Sequence, residues 1–328
     1  MVLSGMPTPA WLEGDAPISE IVISSRQRYA RNLREFPFPH HASEHELTTI
    51  LQLVKDAVED AELDLATYEN LTHAERDFML GSRLVSPEFR CNDPGRALLL
   101  DRGKTVSIMV NEEDHLRLQA LTPGWSIVTA QAAGDRVLSQ LASRLQFMHS
   151  DQLGYLTASP SNLGHARRRS ALFHLIGLAH TKRLMNVLKA LSAWGLTARG
   201  LFGESSRAVG AFFQVSTTEQ RMPEFVGAGE YLIEEEQKAR MEVRRSELQD
   251  KAEQARDYAI GSTEISLADA MRVFAWVRWA SSAGLPDFAF SHREVDRWIS
   301  TLDVQGTQDQ RIASRHRAVF VRERLEQR

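Results

Sequence analysis

A single cysteine, Cys91, stands in 328 residues, so neither a disulfide framework nor a thiolate zinc site can form within one chain. That usage suits a reducing compartment. No run approaches the roughly 18 apolar residues of a membrane span, and the opening MVLSGMPTPAWLEGDAP lacks the basic start and apolar core of a signal peptide. A cytoplasmic protein without a membrane partner is the expectation. An excess of positive charge is missing too. With 39 Lys and Arg against 43 Asp and Glu, the formal net charge is −4, which excludes a generally basic nucleic-acid binder and confines any cationic patch to a local site. Repeats and low-complexity tracts are also absent. What remains is a globular balance of 43% hydrophobic and 25% charged residues, in a chain long enough for one large domain or two ordinary ones.

Periodicity places the elements. A capping box, Ser43-x-x-Glu46, opens a helix over 43–64 with Leu47, Ile50, Leu51, Val54 and Val58 on one face. A second, Thr72-x-x-Glu75, starts a short helix through Phe78 and Leu80. The period then changes: LLLDRGKTVSIMVN (98–111) reads as two strands around Asp101-Arg102-Gly103. Helical spacing returns over 133–149 and 172–194, and 199–216 reads as a strand pair with a glycine-rich connection. After Pro223 the pattern is helical throughout. One long charged helix covers 230–260, others cover 266–283 and follow Ser291-x-x-Glu294, and a basic one covers 308–327. A boundary near 225 is expected, between a mixed domain (1–225) and a helical one (226–328).

Four stretches carry chemistry. In ISSRQRYARNL, Arg26 and Arg28 flank Gln27; on an extended segment both guanidinium groups project from one face. Two such forks suit phosphate oxygens, with Ser24 and Ser25 as hydroxyl donors, although a solvent-facing strand edge shows the same pattern. In VNEEDHLRL, three adjacent carboxylates call for a cation. Strand alternation would allow only one of Glu112 and Glu113 to face a pocket, with Arg117 lining the same cleft; the competing reading is an acidic helix start. TASPSNLGHARRRSAL (157–172) combines a turn with Arg167, Arg168 and Arg169. It fits an anion site at a helix start, a basic surface helix, or an RNA patch, the last disfavoured because the turn has no aromatic residue for stacking. ARGLFGESSRAVG supplies Arg199, Glu204 and close backbone approach at Gly200, Gly203 and Gly210, without a Walker A lysine. Together, arginines for a polyphosphate and the separated carboxylates Glu113 and Glu204 for a cationic partner point to phosphoryl transfer onto a guanidinium.

The order ISSRQRYARNL, SIMVNEEDHLRL, GYLTASPSNLG, ARGLFGES resembles the phosphagen (guanidino) kinases, and most closely the bacterial protein-arginine kinases. The resemblance is strong over roughly 20–216. It implies an α+β fold, an antiparallel sheet flanked by helices and followed by a helical C-terminal domain. It also implies transfer of the ATP γ-phosphate to arginine side chains of proteins. The implied nucleotide site comprises Ser24, Ser25, Arg26, Gln27, Arg28, Arg83, Arg117, Arg168, Arg169, Ser170, Ala171, Leu172, Arg199, Gly200, Leu201, Phe202 and Gly203. Glu113 is the implied guanidinium-binding base and Glu204 the second carboxylate. Magnesium is implied as held through the nucleotide, with no protein metal site. Protein substrates with exposed arginines, an activator protein, a protease or chaperone system and a homodimer are the implied partners; nucleic acid is not among them. The alternative is a degenerate kinase serving as a nucleotide- or phosphoarginine-binding adaptor.

Departures from the family pattern are specific. Ser159 stands where the family has the cysteine of CPTNLG, and Arg83 where it has a histidine near the nucleotide. GHARRRS replaces GTGLRAS, and Gly81 replaces an acidic residue. In the last helix, Ala313 and Ser314 replace the first two residues of an RDxxRA phosphoarginine motif, whereas Arg317 and Ala318 remain.

Overall fold

Alternating side chains and three capped helices account for most of the architecture. The computed structural model describes residues 8–14, 16–61, 63–89, 91–201, 208–218, 222–302 and 309–326. Its strands are β1 (Val22–Arg31), β2 (Leu65–Tyr68), β3 (Ala97–Asp101), β4 (Val106–Val110), β5 (Leu116–Pro123), β6 (His149–Ser150), β7 (Gly154–Tyr155), β8 (Arg167–His174), β9 (Thr197–Gly200) and β10 (Phe212–Thr218). Its helices are α1 (Glu44–Asp60), α2 (His73–Gly81), α3 (Ile127–Ala142), α4 (Ile176–His180), α5 (Leu184–Ala193), α6 (Met222–Glu242), α7 (Arg245–Gly261), α8 (Leu267–Ser282), α9 (His292–Thr301) and α10 (Gln310–Glu326). Ser43, Thr72 and Ser291 each cap their helix reciprocally with the glutamate three residues on, as their spacing predicts.

Eight strands form one antiparallel sheet in the order β2-β3-β4-β5-β1-β8-β10-β9. Residues opposite one another across antiparallel strands share a face, so the register sorts the side chains. One face is largely apolar and covered by helices. Tyr29, Leu118 and Ala120 meet Ile50 and Val54 of α1 and Val137 and Leu141 of α3. Further along, Phe173, Phe213 and Val215 meet Val187 and Leu191 of α5 and Phe225 and Leu232 of α6. The opposite face is divided. At one end Leu121, Leu172 and Phe212 are covered by α7–α10, through residues such as Leu248, Met271, Phe274, Val295 and Leu325. At the other end the same face carries Arg28, Arg117 and Arg168. The helical third is therefore built onto the sheet: segments before and after residue 225 share two apolar clusters.

Three expectations from periodicity are corrected. The segment expected to be helical over 172–194 begins as strand β8 and becomes helical only at Ile176. The run SALFH is buried on both faces, so periodicity alone cannot tell it from a buried helix; pairing with β1 on one side and β10 on the other decides it. The 133–149 helix is α3, which starts six residues earlier and ends at Ala142. The charged pattern over 230–260 is two helices, because Arg244 adopts an extended conformation (φ −64, ψ 142) between α6 and α7.

The fit of α3 on the sheet makes one prediction. Gly134 lies so close to Tyr29 that an added Cβ would come within 2.6 Å of the ring, and the Tyr29 hydroxyl is fixed by donating to Asp135 Oδ1 at 2.8 Å. Gly134→Ala gains helix propensity of about 1 kcal/mol but forces the helix off the ring. The expected net result is a loss of about 1–2 kcal/mol in urea unfolding; a more stable variant would show that the ring moves freely.

Candidate active site

The cationic end of the sheet follows from register. Arg26 and Arg28 lie two apart on β1, Arg28 opposite Arg168 of β8, and Arg117 enters from β5 opposite Ala30. Arg83, from the turn after α2, is buried against the same face and donates to Ser24 Oγ and, at 3.0 Å, to Gln214 Oε1. Arg26 donates to Ser170 Oγ at 3.2 Å and to Gln214 Oε1 at 2.8 Å. Arg168 donates to Ser216 Oγ at 2.8 Å. Arg199 of β9 lies opposite Gln214 at the exposed rim.

Charge balance defines the site. Burial, then repulsion from Arg117 and Arg168, pulls Arg28 down to about 9. Burial pulls Arg83 down to about 10. Burial and neighbouring arginines lower Arg26 and Arg168 as well. Among the described residues, Arg117 is the one of these arginines paired with a carboxylate at short range, donating to Glu112 Oε2 at 2.6 Å. Such crowding of cations is relieved by an anion with several oxygens.

Residues 111–115 form a bend, neither strand nor helix, so strand alternation does not sort Glu112 from Glu113 as expected; their contacts do. Asn111 takes a left-handed conformation (φ 57) and donates to the carbonyls of Leu47 and Gly95 at 2.9 and 2.6 Å. Asp114 Oδ1 accepts from Asn32 Nδ2 at 2.6 Å and from the Ala158 N–H at 2.8 Å, tying the bend to the loop that carries Ser159. His115 Nδ1 accepts from the Leu33 N–H at 2.9 Å, which leaves Nε2 to donate to the Pro37 carbonyl at 2.9 Å. Burial pushes this imidazole down to about 4, so it is neutral. Glu112 accepts from Ser86 Oγ at 2.6 Å and from Arg117. Burial would raise its carboxyl, but Arg117 and these hydrogen bonds outweigh that and hold it low. Glu113 alone of the three carboxylates is exposed. Partial desolvation, then Asp114, raises its pKa, the direction that favours a proton acceptor.

Ser159 heads a short turn (Pro160–Asn162) on the Asp114 side, its Oγ 2.8 Å from Ser161 Oγ. A cleft between this turn and the sheet is lined by Arg28, Arg117, Asn162, Arg167 and Arg168. A second, more apolar recess lies beside Arg83, lined by Trp11, Leu12, Leu172, Leu201 and Phe212.

Not every residue expected at a nucleotide site lies on the arginine-bearing face of the sheet. Ser24, Arg26, Arg28, Arg83, Arg117, Arg168, Ser170, Leu172 and Arg199 share the divided face or border it. Ser25, Gln27, Arg169 and Ala171 lie on the opposite face by the same register. There Ser25 donates to the Gly124 carbonyl at 2.8 Å, Arg169 donates to Gln131 Oε1 at 2.7 Å, and Ala171 joins an apolar cluster. Gly200 pairs with Phe213, and Leu201 borders the recess. Phe202, Gly203 and Glu204 lie outside the described residues. Sequence reasoning missed Gln214, Ser216 and Ser86. The first two were signalled only by their spacing of two in FFQVSTT, and Ser86 by nothing in the sequence.

Comparison with known proteins shows the family. Residues 46–238 match the family described as ATP:guanido phosphotransferase, C-terminal catalytic domain. The chain is 35% identical to a protein-arginine kinase of Pelotomaculum thermopropionicum, over 82% of this chain and 80% of that one. It is 33% identical to a protein-arginine kinase of Symbiobacterium thermophilum, over 84% and 83%. Among solved structures, lombricine kinase superposes with a TM-score of 0.60 at 22% identity, over 74% of each chain. The duplicated taurocyamine kinase of Schistosoma mansoni superposes with a TM-score of 0.60 at 23% identity, over 70% of this chain and 36% of that one. The structural likenesses speak for the fold; the family match and the sequence relatives place the chain in the ATP:guanido phosphotransferase family, alongside the protein-arginine kinases.

Proposed function

We propose that the protein transfers the γ-phosphate of ATP to the guanidinium group of arginine side chains in proteins, a reading supported by relatives named protein-arginine kinase. The observation that carries this reading is the group Arg26, Arg28, Arg83 and Arg168, in which Arg26, Arg83 and Arg168 are held by hydroxyls and an amide, beside a bend whose one exposed carboxylate is Glu113. The arginines fit three phosphates; Glu113 fits the acceptor. In the reaction, a guanidinium nitrogen attacks the γ-phosphorus. The N–P bond forms, the bond from the γ-phosphorus to the β–γ bridging oxygen breaks, and ADP leaves. The nitrogen's proton passes to the Glu113 carboxylate, which is needed because a protonated guanidinium is a poor nucleophile. Arg28, Arg117 and Arg168 hold and neutralise the phosphates. Among the described residues no group of three or more His, Cys, Asp or Glu side chains gathers around a metal position. Magnesium, in this reading, would be carried by the nucleotide phosphates and would supply charge neutralisation there.

The remaining assignments belong to the same proposal: Glu204 as a second carboxylate at the acceptor, a cytoplasmic location, a homodimer through the helical region after 225, and an activator protein. No helix among the described residues is long and apolar enough to cross a membrane. The competing adaptor reading draws on Ser159, a neutral hydroxyl where a thiolate would interact more strongly with the acceptor.

Incubation with Mg-ATP and an arginine-rich protein, followed by detection of acid-labile, base-stable phosphate, separates the two. Transfer is expected, and Ser159→Cys is expected to raise its rate severalfold. If ATP binds and no label ever appears, the adaptor reading holds.

A further inference from the structure

Gln214 is the residue on which two arginines converge. Its Oε1 accepts from Arg26 Nη2 at 2.8 Å and from Arg83 Nη2 at 3.0 Å. The two donors come from different parts of the chain, one from β1 and one from the turn after α2. β10 sets the amide level with Ser24 and Leu172 on the divided face, one strand in from Arg199. Arg83 reaches it from a left-handed backbone conformation (φ 62) that a long side chain adopts only when its surroundings hold it. Ser24 Oγ accepts from its other guanidinium nitrogen, and its carbonyl accepts from Gln119 Nε2 at 2.9 Å.

The contrast with Arg117 is informative. That arginine is held by Glu112, a carboxylate that cancels its charge as it positions it. At Arg26 and Arg83 the same service comes from a neutral amide oxygen. A carboxylate would bind the guanidinium forks more tightly, yet it would compete with the phosphates for them. We infer that Gln214 is a positioning residue of the nucleotide site, bridging Arg26 and Arg83 through one uncharged oxygen so that both cations stand fixed and un-neutralised for a polyphosphate. This inference rests on the phosphotransfer reading above, because it needs an anionic nucleotide on this face.

Replacement by leucine removes the bridge, so the two guanidinium groups repel and lose their common geometry. Replacement by glutamate keeps the shape and improves the acceptor but adds a negative charge. The two variants therefore separate positioning from mere support. Isothermal titration calorimetry with Mg-ADP, on the full chain, reads the outcome. For Gln214→Leu the dissociation constant is expected to rise about five- to tenfold, the loss of one or two hydrogen-bond equivalents. For Gln214→Glu it is expected to rise further, by tens of fold, as a charge set beside the phosphates would cause. In turnover, both are expected to raise KM for Mg-ATP with kcat less affected. Gln214→Asn, too short to reach both forks, serves if the leucine variant does not fold and is expected to show the smaller loss.

A Gln214→Glu protein with wild-type nucleotide affinity overturns the inference, since a structural prop would be served as well by the isosteric acid. So does nucleotide binding unchanged within twofold in the leucine or asparagine variant. If the unmodified protein binds no Mg-ADP, the phosphotransfer reading itself has failed, which the same titration reveals before any variant is made.

Discussion

Glu113→Gln is expected to lower phosphate transfer at least about a hundredfold, the low end of what a positioned base contributes, while Mg-ATP binding changes by no more than about twofold. The glutamine keeps the shape and an acceptor oxygen but cannot take a proton. Its neighbours give the residue no other task. Asn111, Asp114 and His115 are engaged by the backbone around them, and Glu112 is engaged by Ser86 and Arg117. Glu113 alone projects from the bend as an exposed carboxylate.

The pH dependence has a definite sign. A base works deprotonated, and desolvation with help from Asp114 raises this group's pKa, so the rate should climb as pH rises through that raised value. The glutamine variant should lose that acidic limb. Quenched time courses of acid-labile phosphate at several pH values test both statements. A variant retaining a tenth of the rate, or the same acidic limb, would remove Glu113 from the role of base. Glu112→Gln should differ in kind: it breaks the ion pair that holds Arg117, and the change should appear in KM for Mg-ATP before kcat.

The second large effect concerns stability. Asp296→Ala is expected to cost about 3–5 kcal/mol, the range for removing one partner of a buried ion pair. Arg278 on α8 is fully buried, with Nε donating to Asp296 Oδ1 at 2.7 Å and Nη2 to Oδ2 at 3.2 Å. The same guanidinium donates to the carbonyls of Glu20 and Ser19 at 2.6 and 2.7 Å, just before β1. Arg293 donates to Asp296 at 3.3 Å and to the Ile23 carbonyl at 2.9 Å. Asp296 thus balances two buried cations that fasten the helical region to the strand bearing Arg26 and Arg28. Removing it leaves both buried charges without that carboxylate, beside carbonyl oxygens that accept hydrogen bonds but carry no formal charge. Urea unfolding of the variant should show the loss as a lowered midpoint with little change in slope. Asp296→Asn, which keeps an acceptor, should lose less. A loss under about 1 kcal/mol for the alanine variant would mean that the carbonyls alone hold the arginines.

What the sequence by itself determined is local. Ser43, Thr72 and Ser291 announced their helices because a capping box is satisfied within four residues. Arg26 and Arg28 share a face because alternation is a property of a single strand. The family resemblance was legible for a related reason, since its motifs are short runs whose spacing survives in the chain. The tertiary structure decided the rest. Whether Arg167–Arg169 opens a helix or a strand depended on β1 and β10 being available to pair. That pairing sent Arg168 to the face of Arg26 and Arg28 and Arg169 to Gln131 on the other.

Choosing between Glu112 and Glu113 required knowing that Ser86 and Arg117 had already taken one of them. Gln214 was marked in FFQVSTT only by its spacing of two from Ser216; it matters because two arginines from distant segments arrive at the same oxygen. A side chain's backbone conformation and capping are fixed by its neighbours in the chain. Its charge partners are fixed by whichever strands lie beside it, and only the folded sheet brings those together.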